Sequence, residues 1–174
     1  LIVNHHGATS DGSQQLLYSN MLPIADTANF IIVYPDGIAN VWNSGFLIPY
    51  TSGPDDVGFV SSLIEYLETQ YNIDPSKIYS TGMSNGGFQS FRLACELEDK
   101  IAAIASVTGS MADSVAYYCQ SNRSVPVLQI HGTEDPTVPY EGLVGGGYYH
   151  QDSLIQWWVD KNGCGAMTAS DTFP

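Results

Sequence analysis

The sequence is poor in positive charge. Only five of its 174 residues are Lys or Arg, against 18 Asp or Glu, so the formal net charge at pH 7 is −13. The five basic residues are also spread along the chain, whereas a protein that binds nucleic acid must neutralise a row of phosphates. The composition therefore excludes nucleic acid as the main partner, and an anionic membrane surface would repel the chain.

Long hydrophobic runs are lacking as well. The longest apolar run, at residues 30–34, is far shorter than the roughly 18 residues that a membrane-spanning helix needs. A length of 174 residues with 44% hydrophobic residues indicates one domain, residues 1–174, with its own core. The chain begins at Leu1-Ile2-Val3 without the charged segment of a secretory signal, so we expect further sequence before it.

Cysteine is scarce and widely spaced. Cys95, Cys119 and Cys164 form no C-x-x-C pair, which excludes a cysteine metal site. Cys95 falls in a predicted helix and Cys119 in a polar loop, so the spacing allows one disulfide and leaves one thiol over. Together with the acidic composition, this pattern favours a secreted or periplasmic protein.

Short apolar segments alternate with helical patterns along the chain. This alternation predicts βαβ units and a mostly parallel sheet flanked by helices. The clearest helical pattern has Val57, Val60, Ile64 and Leu67 on one face, with Asp55 and Asp56 supplying N-terminal charge. The predicted strands are Leu1–Asn4, Phe30–Tyr34, Ile78–Thr81, Ala102–Val107 and Val125–Ile130, and the predicted helices are Asp56–Tyr71, Asn85 to about Glu98, and about Gln151–Lys161.

The strongest chemical signal is a G-x-S-x-G motif at residues 82–86, between a predicted strand and a predicted helix. In this context the serine lies on a tight strand-to-helix turn, which predicts Ser84 as a nucleophile. The helix N-terminus behind it favours negative charge, and the Asn85 N–H is a candidate oxyanion donor. A phosphate-binding loop is a poor alternative because G-x-x-x-x-G-K-[ST] is missing.

A serine nucleophile needs a base and a carboxylate that orients the base, in the chain order Ser, Asp or Glu, His. Asp135 follows the predicted strand Val125–Ile130 and is the better acid candidate, whereas Glu134 is expected to face solvent. Only His150 follows Asp135, and it precedes a helix rather than ending a strand. We therefore expect the catalytic histidine beyond Pro174, with His150 as a weak substitute.

The loop after the first strand is the second expected source of an oxyanion donor. Ala8 N–H is the candidate, since Gly7 permits a close turn. The adjacent His5 and His6 point to opposite faces of an extended segment and have no third ligand at a suitable spacing, so we predict no metal site. Structural packing is the expected use of at least one of these histidines.

Aromatic residues on loops are candidates for substrate binding. Trp42 and Tyr140, together with Tyr148 and Tyr149, lie on predicted loops where they could stack on an aromatic acyl group or a sugar. For Trp42, core packing is an equally good interpretation. Trp157 and Trp158 lie in a predicted helix and are expected to pack in the core or a lid.

Several further motifs follow one another along the chain. They are Tyr34-Pro35-Asp36-Gly37, Trp42-Asn43, Asp55-Asp56-Val57-Gly58-Phe59, Asn72-Ile73-Asp74, the residues 79–87 around Ser84, Leu93-Ala94-Cys95-Glu96 and the segment 131–140. In this order they resemble the polyhydroxybutyrate depolymerase-like and feruloyl esterase family of α/β-hydrolases. The resemblance implies an α/β-hydrolase fold, incomplete at both ends, and secreted ester hydrolysis by serine, aspartate and histidine without metal or organic cofactor. It also implies a partner for Cys164 in sequence beyond the chain.

Three functions are compatible with these features. The first is hydrolysis of feruloyl or acetyl esters of plant polysaccharide, and the second is a polyhydroxyalkanoate depolymerase or small-ester esterase with the same residues. The third is a non-catalytic binding module of the same fold. A peptidase or a dienelactone-type hydrolase is a further alternative, because fold does not fix function.

Overall fold

A computed structural model describes residues 1–143 and 147–165 of the protein. Five parallel strands form one sheet in the order β2-β1-β3-β4-β5, as the alternation of strands and helices predicts. The strands are β1 (Ile2–His5), β2 (Ile32–Val33), β3 (Tyr79–Met83), β4 (Ala103–Val107) and β5 (Val127–Ile130). Most of the glycine tract Gly145-Gly146-Gly147, predicted as a flexible loop, lies outside the described residues.

Six α-helices are present in the described ranges, five of them between strands and α6 after β5. The three predicted helices are present, and the short helices α1, α2 and α5 were missed. Their bounds are α1 (Gly12–Ser19), α2 (Leu22–Ala28), α3 (Asp56–Gln70), α4 (Asn85–Glu96), α5 (Asp113–Tyr118) and α6 (Gln151–Lys161).

The N-terminus of α3 shows why that helix was predictable. Asp55 is its N-cap, and a side-chain oxygen accepts the Gly58 N–H at 2.8 Å. Asp56 is buried and accepts the Asn43 N–H at 2.6 Å, so both acids have structural roles. Val60, Ile64 and Leu67 form the buried face, and Val57 packs partly buried against the same core.

Helix α4 lies at the centre of the molecule. Every residue from Asn85 to Cys95 is buried, so the helix has almost no solvent-facing side. Its end is tied to α5 by the Cys95–Cys119 disulfide, and Cys164 is free and exposed. The sequence prediction of one disulfide with one thiol left over is therefore confirmed.

The strand order places a topological switch point at the middle of the sheet. From β1 the chain moves outward to β2, and then returns to the other side of β1 to form β3. The loops that follow β1 and β3 therefore leave the same edge in opposite directions and open a crevice between them, which is where ligands bind in such sheets. The loop after β1 contains Gly7 and Ala8, and the turn after β3 contains Ser84.

Candidate active site

Ser84 occupies a strained turn between β3 and α4. Its backbone has φ 53° and ψ −118°, a conformation that costs free energy for any residue other than glycine. The turn is held at both ends, since the Ser84 N–H donates to the Val107 carbonyl and its carbonyl accepts the Phe88 N–H. The side chain is half-buried and lies at the carboxyl edge of the sheet.

The glycines around Ser84 permit a close approach of three backbone segments. A methyl group on Gly82 would lie 2.5 Å from the Gly86 carbonyl carbon, and one on Gly86 would meet the His5 carbonyl oxygen. These neighbours are backbone atoms, which cannot move aside as a side chain can. The two glycines of the G-x-S-x-G pattern are therefore required here by the packing of α4 against β1 and β3.

Asp135 lies on the loop that follows β5, with most of its carboxylate shielded from solvent. Its Oδ1 accepts the Thr137 and Val138 N–H groups at 2.8 and 3.0 Å. Burial alone would raise the pKa of this carboxyl, but the two backbone N–H groups and the nearby His131 outweigh it and lower the pKa. Asp135 is thus held as a carboxylate, while Glu134 is exposed, as predicted.

His131 is a supporting residue that the sequence analysis did not single out. It is buried behind the acid, with Nε2 at 2.7 Å from the Val138 carbonyl oxygen and 3.7 Å from Asp135 Oδ2. Its Nδ1 lies 3.1 Å from the Gly109 carbonyl oxygen. Its position directly after β5, four residues before Asp135, is the sequence signal that could have identified it.

The loop after β1 lies against Ser84. A methyl group on Gly7 would be 3.6 Å from Ser84 Cβ. In the described part of the chain, neither the Ala8 N–H nor the Asn85 N–H has a hydrogen-bond acceptor. Two backbone donors therefore remain available beside Ser84, one from each side of the crevice.

His5 and His6, which precede this loop, are both fully buried and have structural contacts. His5 Nδ1 lies 3.1 Å from the Thr81 carbonyl oxygen. Burial lowers the pKa of His5 to about 4, so this ring is neutral at neutral pH. His6 contacts the Gly7 carbonyl and the Gly37 N–H, and thus joins the loop after β1 to the loop after β2.

The sequence left two interpretations of Trp42 open, and the structure supports core packing rather than a substrate contact. Its side chain is 0% exposed and packs against the rings of His5 and His6, each at a centroid distance of 5.0 Å. Its indole Nε1 donates to the His6 carbonyl at 3.0 Å, and its backbone N–H donates to Asn85 Oδ1 at 2.6 Å. Trp42 therefore supports the site from inside the core.

The structure places Tyr140 and His150 together, outside the lining of the cavity at Ser84. The Tyr140 hydroxyl donates to Asp152 Oδ1 at 2.7 Å, and its ring packs edge-on against His150. His150 Nδ1 accepts the Asp152 N–H as the N-cap of α6. Neither side chain lines the cavity at Ser84, so the structure supports neither His150 as the base nor Tyr140 as a substrate contact.

Three of the predicted site residues line one cavity of about 280 Å³. Ser84, Asp135 and Ala8 all line it, although they come from three different loops. In the described part of the chain, no histidine lines this cavity. The lining residues are Gly7, Ala8, Ser10, Met83, Ser84, Thr108, Asp135, Thr137 and Val138.

The described residues contain neither a candidate metal cluster nor a membrane-spanning helix. Across residues 1–143 and 147–165, no group of three or more His, Cys, Asp or Glu side chains is arranged to hold a metal ion. Over the same ranges, no helix is both long and apolar enough to cross a membrane.

Two known proteins of similar sequence are esterases by name. The chain is 30% identical over 145 residues to the bifunctional acetylxylan esterase/xylanase XynS20E of Neocallimastix patriciarum, covering 83% of this chain and 20% of that protein. It is 29% identical over 177 residues to feruloyl esterase B of Piromyces equi, covering 94% of this chain and 32% of that protein. The chain thus spans a third or less of each relative's length.

Solved structures share the fold. A thermostable esterase superposes with a TM-score of 0.67 at 21% identity, over 92% of this chain and 43% of that one. A phospholipase/carboxylesterase from Dyadobacter fermentans superposes with a TM-score of 0.65 at 18% identity, over 92% of this chain and 75% of that one. The predicted α/β-hydrolase fold and the resemblance to feruloyl esterases are confirmed. Residues 55–161 match the phospholipase/carboxylesterase family model, and the chain belongs to that family.

Proposed function

We propose that the protein is a carboxylic ester hydrolase in which Ser84 is the nucleophile and Asp135 the acid of the triad. The observation that carries the proposal is the strained turn at Ser84 in a cavity that Asp135 and Ala8 also line. Glycine would remove the strain of a φ of 53°, so packing alone does not account for a serine at this position. The family match and the esterase names of the relatives support the same activity.

In the proposed reaction Ser84 Oγ attacks the ester carbonyl carbon while a base accepts the hydroxyl proton. The carbonyl oxygen becomes an oxyanion that accepts hydrogen bonds from the Asn85 and Ala8 N–H groups. The bond to the leaving alcohol then breaks, and the base returns its proton to that alcohol. Water attacks the acyl-enzyme in the same way, which releases the carboxylic acid and restores the serine.

A histidine from sequence beyond Pro174 is the proposed base. The four histidines of the chain are His5 and His6 in the core, His131 behind the acid and His150 at the α6 cap, and none lines the cavity. Asp135 Oδ1 is occupied by two backbone N–H groups, so Oδ2 is the oxygen that would orient the base. The proposal requires that oxygen to lie within hydrogen-bond reach of the incoming imidazole.

Feruloyl or acetyl esters of plant polysaccharide are the proposed substrates. This part rests on the names of the relatives, a feruloyl esterase and an acetylxylan esterase. A secreted or periplasmic location is part of the proposal, and the Cys95–Cys119 disulfide supports it because such bonds persist in oxidising compartments.

Turnover of defined esters tests the proposal. The complete gene product, with any sequence that flanks residues 1–174, is assayed on methyl ferulate, acetylated xylan and short hydroxyalkanoate oligomers. We expect hydrolysis of one of the first two, and its loss in Ser84→Ala with stability unchanged. Ser62→Ala, on the exposed face of α3, is the matched control. Activity only on hydroxyalkanoates would replace the substrate class, and turnover by Ser84→Ala would refute the mechanism.

A further inference from the structure

We propose that His6 is a positioning residue for the oxyanion hole: it holds the Gly7–Ala8 peptide so that the Ala8 N–H faces the cavity at Ser84. The inference rests on the proposed function for its catalytic meaning. The loop arrangement itself can be tested without turnover. His6 does not line the cavity, and it acts through the Gly7–Ala8 peptide group.

The contacts of His6 define its tautomer. Its Nδ1 lies 2.7 Å from the Gly7 carbonyl oxygen, which can only accept a hydrogen bond, so Nδ1 carries the hydrogen. Its Nε2 lies 2.9 Å from the Gly37 nitrogen, whose N–H can only donate, so Nε2 is the acceptor. One neutral ring therefore satisfies both partners in a fully buried position.

The held carbonyl determines where the next N–H points. The Gly7 C=O and the Ala8 N–H belong to one peptide group, and no cis peptide bond occurs in the described residues. In a trans peptide these two bonds point in opposite directions. The Gly7 carbonyl accepts from His6 Nδ1 at 2.7 Å and from the Ser10 N–H at 3.2 Å, and these two hydrogen bonds fix the peptide plane.

The same group of contacts reaches the second proposed donor. Trp42 Nε1 donates to the His6 carbonyl at 3.0 Å, and the Trp42 N–H donates to Asn85 Oδ1 at 2.6 Å. Asn85 Nδ2 donates back to the Trp42 carbonyl at 3.2 Å and to Ser44 Oγ at 3.0 Å. Because all of these residues are buried, one connected set of hydrogen bonds supports both the Ala8 and the Asn85 peptides.

A pair of substitutions separates the positioning role from simple packing. The amide nitrogen of Asn lies about where Nδ1 of His lies, so His6→Asn keeps a donor for the Gly7 carbonyl and loses the acceptor for Gly37. The amide oxygen of Gln reaches about as far as Nε2, so His6→Gln keeps the acceptor for Gly37 and loses the donor for Gly7. Each variant therefore keeps one of the two hydrogen bonds.

We expect the two variants to unfold at similar denaturant concentrations but to differ in catalysis. Loss of an oxyanion donor costs about 10²–10³-fold in kcat, so His6→Gln should show that loss with KM changed less than threefold. His6→Asn should keep kcat within about threefold of the wild type. Equal kcat losses in both variants, following their loss of stability, would overturn the proposal.

The Ala8 amide signal in a ¹⁵N–¹H NMR spectrum provides a readout besides activity. We expect it to move in His6→Gln and to stay near its wild-type position in His6→Asn. An Ala8 signal that is unaffected in His6→Gln would refute the positioning role, whatever the activity. Absence of turnover in the wild type would refute the proposed function instead. Should His6→Gln fail to fold, a kcat loss above 100-fold in folded His6→Asn would still overturn the proposal.

Discussion

Replacement of Trp42 by phenylalanine tests whether this residue supports the site from the core. The change removes the indole N–H that donates to the His6 carbonyl at 3.0 Å and leaves space between the rings of His5 and His6. The His6 carbonyl precedes Gly7 and Ala8, so the change acts on the same loop as the proposed oxyanion donor. A substrate-stacking tryptophan would respond differently, because its loss acts mainly on binding.

The magnitude follows from two effects of the substitution. A buried carbonyl that loses its donor costs about 1–3 kcal/mol. The smaller ring adds roughly 1 kcal/mol or more for lost contacts and residual cavity. We therefore expect the free energy of unfolding to fall by about 2–4 kcal/mol. With a urea m-value of about 2 kcal/mol/M, the unfolding midpoint should move down by roughly 1–2 M.

The assay combines urea unfolding with ester turnover, and Trp157→Phe is the matched control. Trp157 is partly exposed on α6, so the same chemical change there should cost less than about 1 kcal/mol. For Trp42→Phe we expect lower stability and a kcat reduced together with it, at nearly unchanged KM. A raised KM with wild-type stability would refute the core role and restore Trp42 as a substrate contact.

Three further predictions concern the acid, the disulfide and the buried histidine. Asp135→Asn should lower kcat by about 10⁴-fold, because Asp135 is proposed to orient the base. Glu134 is exposed, so Glu134→Gln should leave kcat unchanged. Similar kcat values in the two variants would show that another residue is the acid. The double variant Cys95→Ser, Cys119→Ser removes a disulfide between residues 24 positions apart. We expect its free energy of unfolding, measured in urea or by heating, to fall by about 3–4 kcal/mol. Wild-type stability in this variant would contradict the expectation. Burial lowers the pKa of His5 to about 4, so the buried ring resists protonation more than it does in the unfolded chain. The stability that the neutral ring contributes is therefore full above about pH 6.5 and is lost as the pH falls toward 4. His5→Asn keeps a donor for the Thr81 carbonyl but has no titratable ring. Between pH 7 and pH 4 its free energy of unfolding should therefore fall by about 3 kcal/mol less than that of the wild type. Equal losses in the two proteins would refute the assignment.

The features that sequence predicted well depend on local physics. The turn at Ser84 was predictable because the strand, the glycines and the helix follow one another within a few residues. Helix α3 was predictable because its N-cap acid and its apolar face are both periodic and local. Helix α6 begins at Gln151 and ends at Lys161, as its pattern indicates.

The features that were missed depend on contacts between distant segments. Helices α1, α2 and α5 have only six to eight residues, too few for an apolar period to be distinct. Trp42 lies in a loop that is rich in small and polar residues, and only the approach of β1 and α4 shows that this loop is buried. His6 and Gly37 are 31 residues apart, so no local pattern reveals that they share a hydrogen bond.

The central claim is that Ser84 is an activated nucleophile, and labelling by a fluorophosphonate tests it most directly. The complete gene product is treated with the reagent, and its intact mass and labelled peptide are measured beside those of Ser84→Ala. We expect one adduct per chain, located on Ser84, and none in the variant. A folded wild-type protein without an adduct, or an adduct that persists in Ser84→Ala, would contradict it.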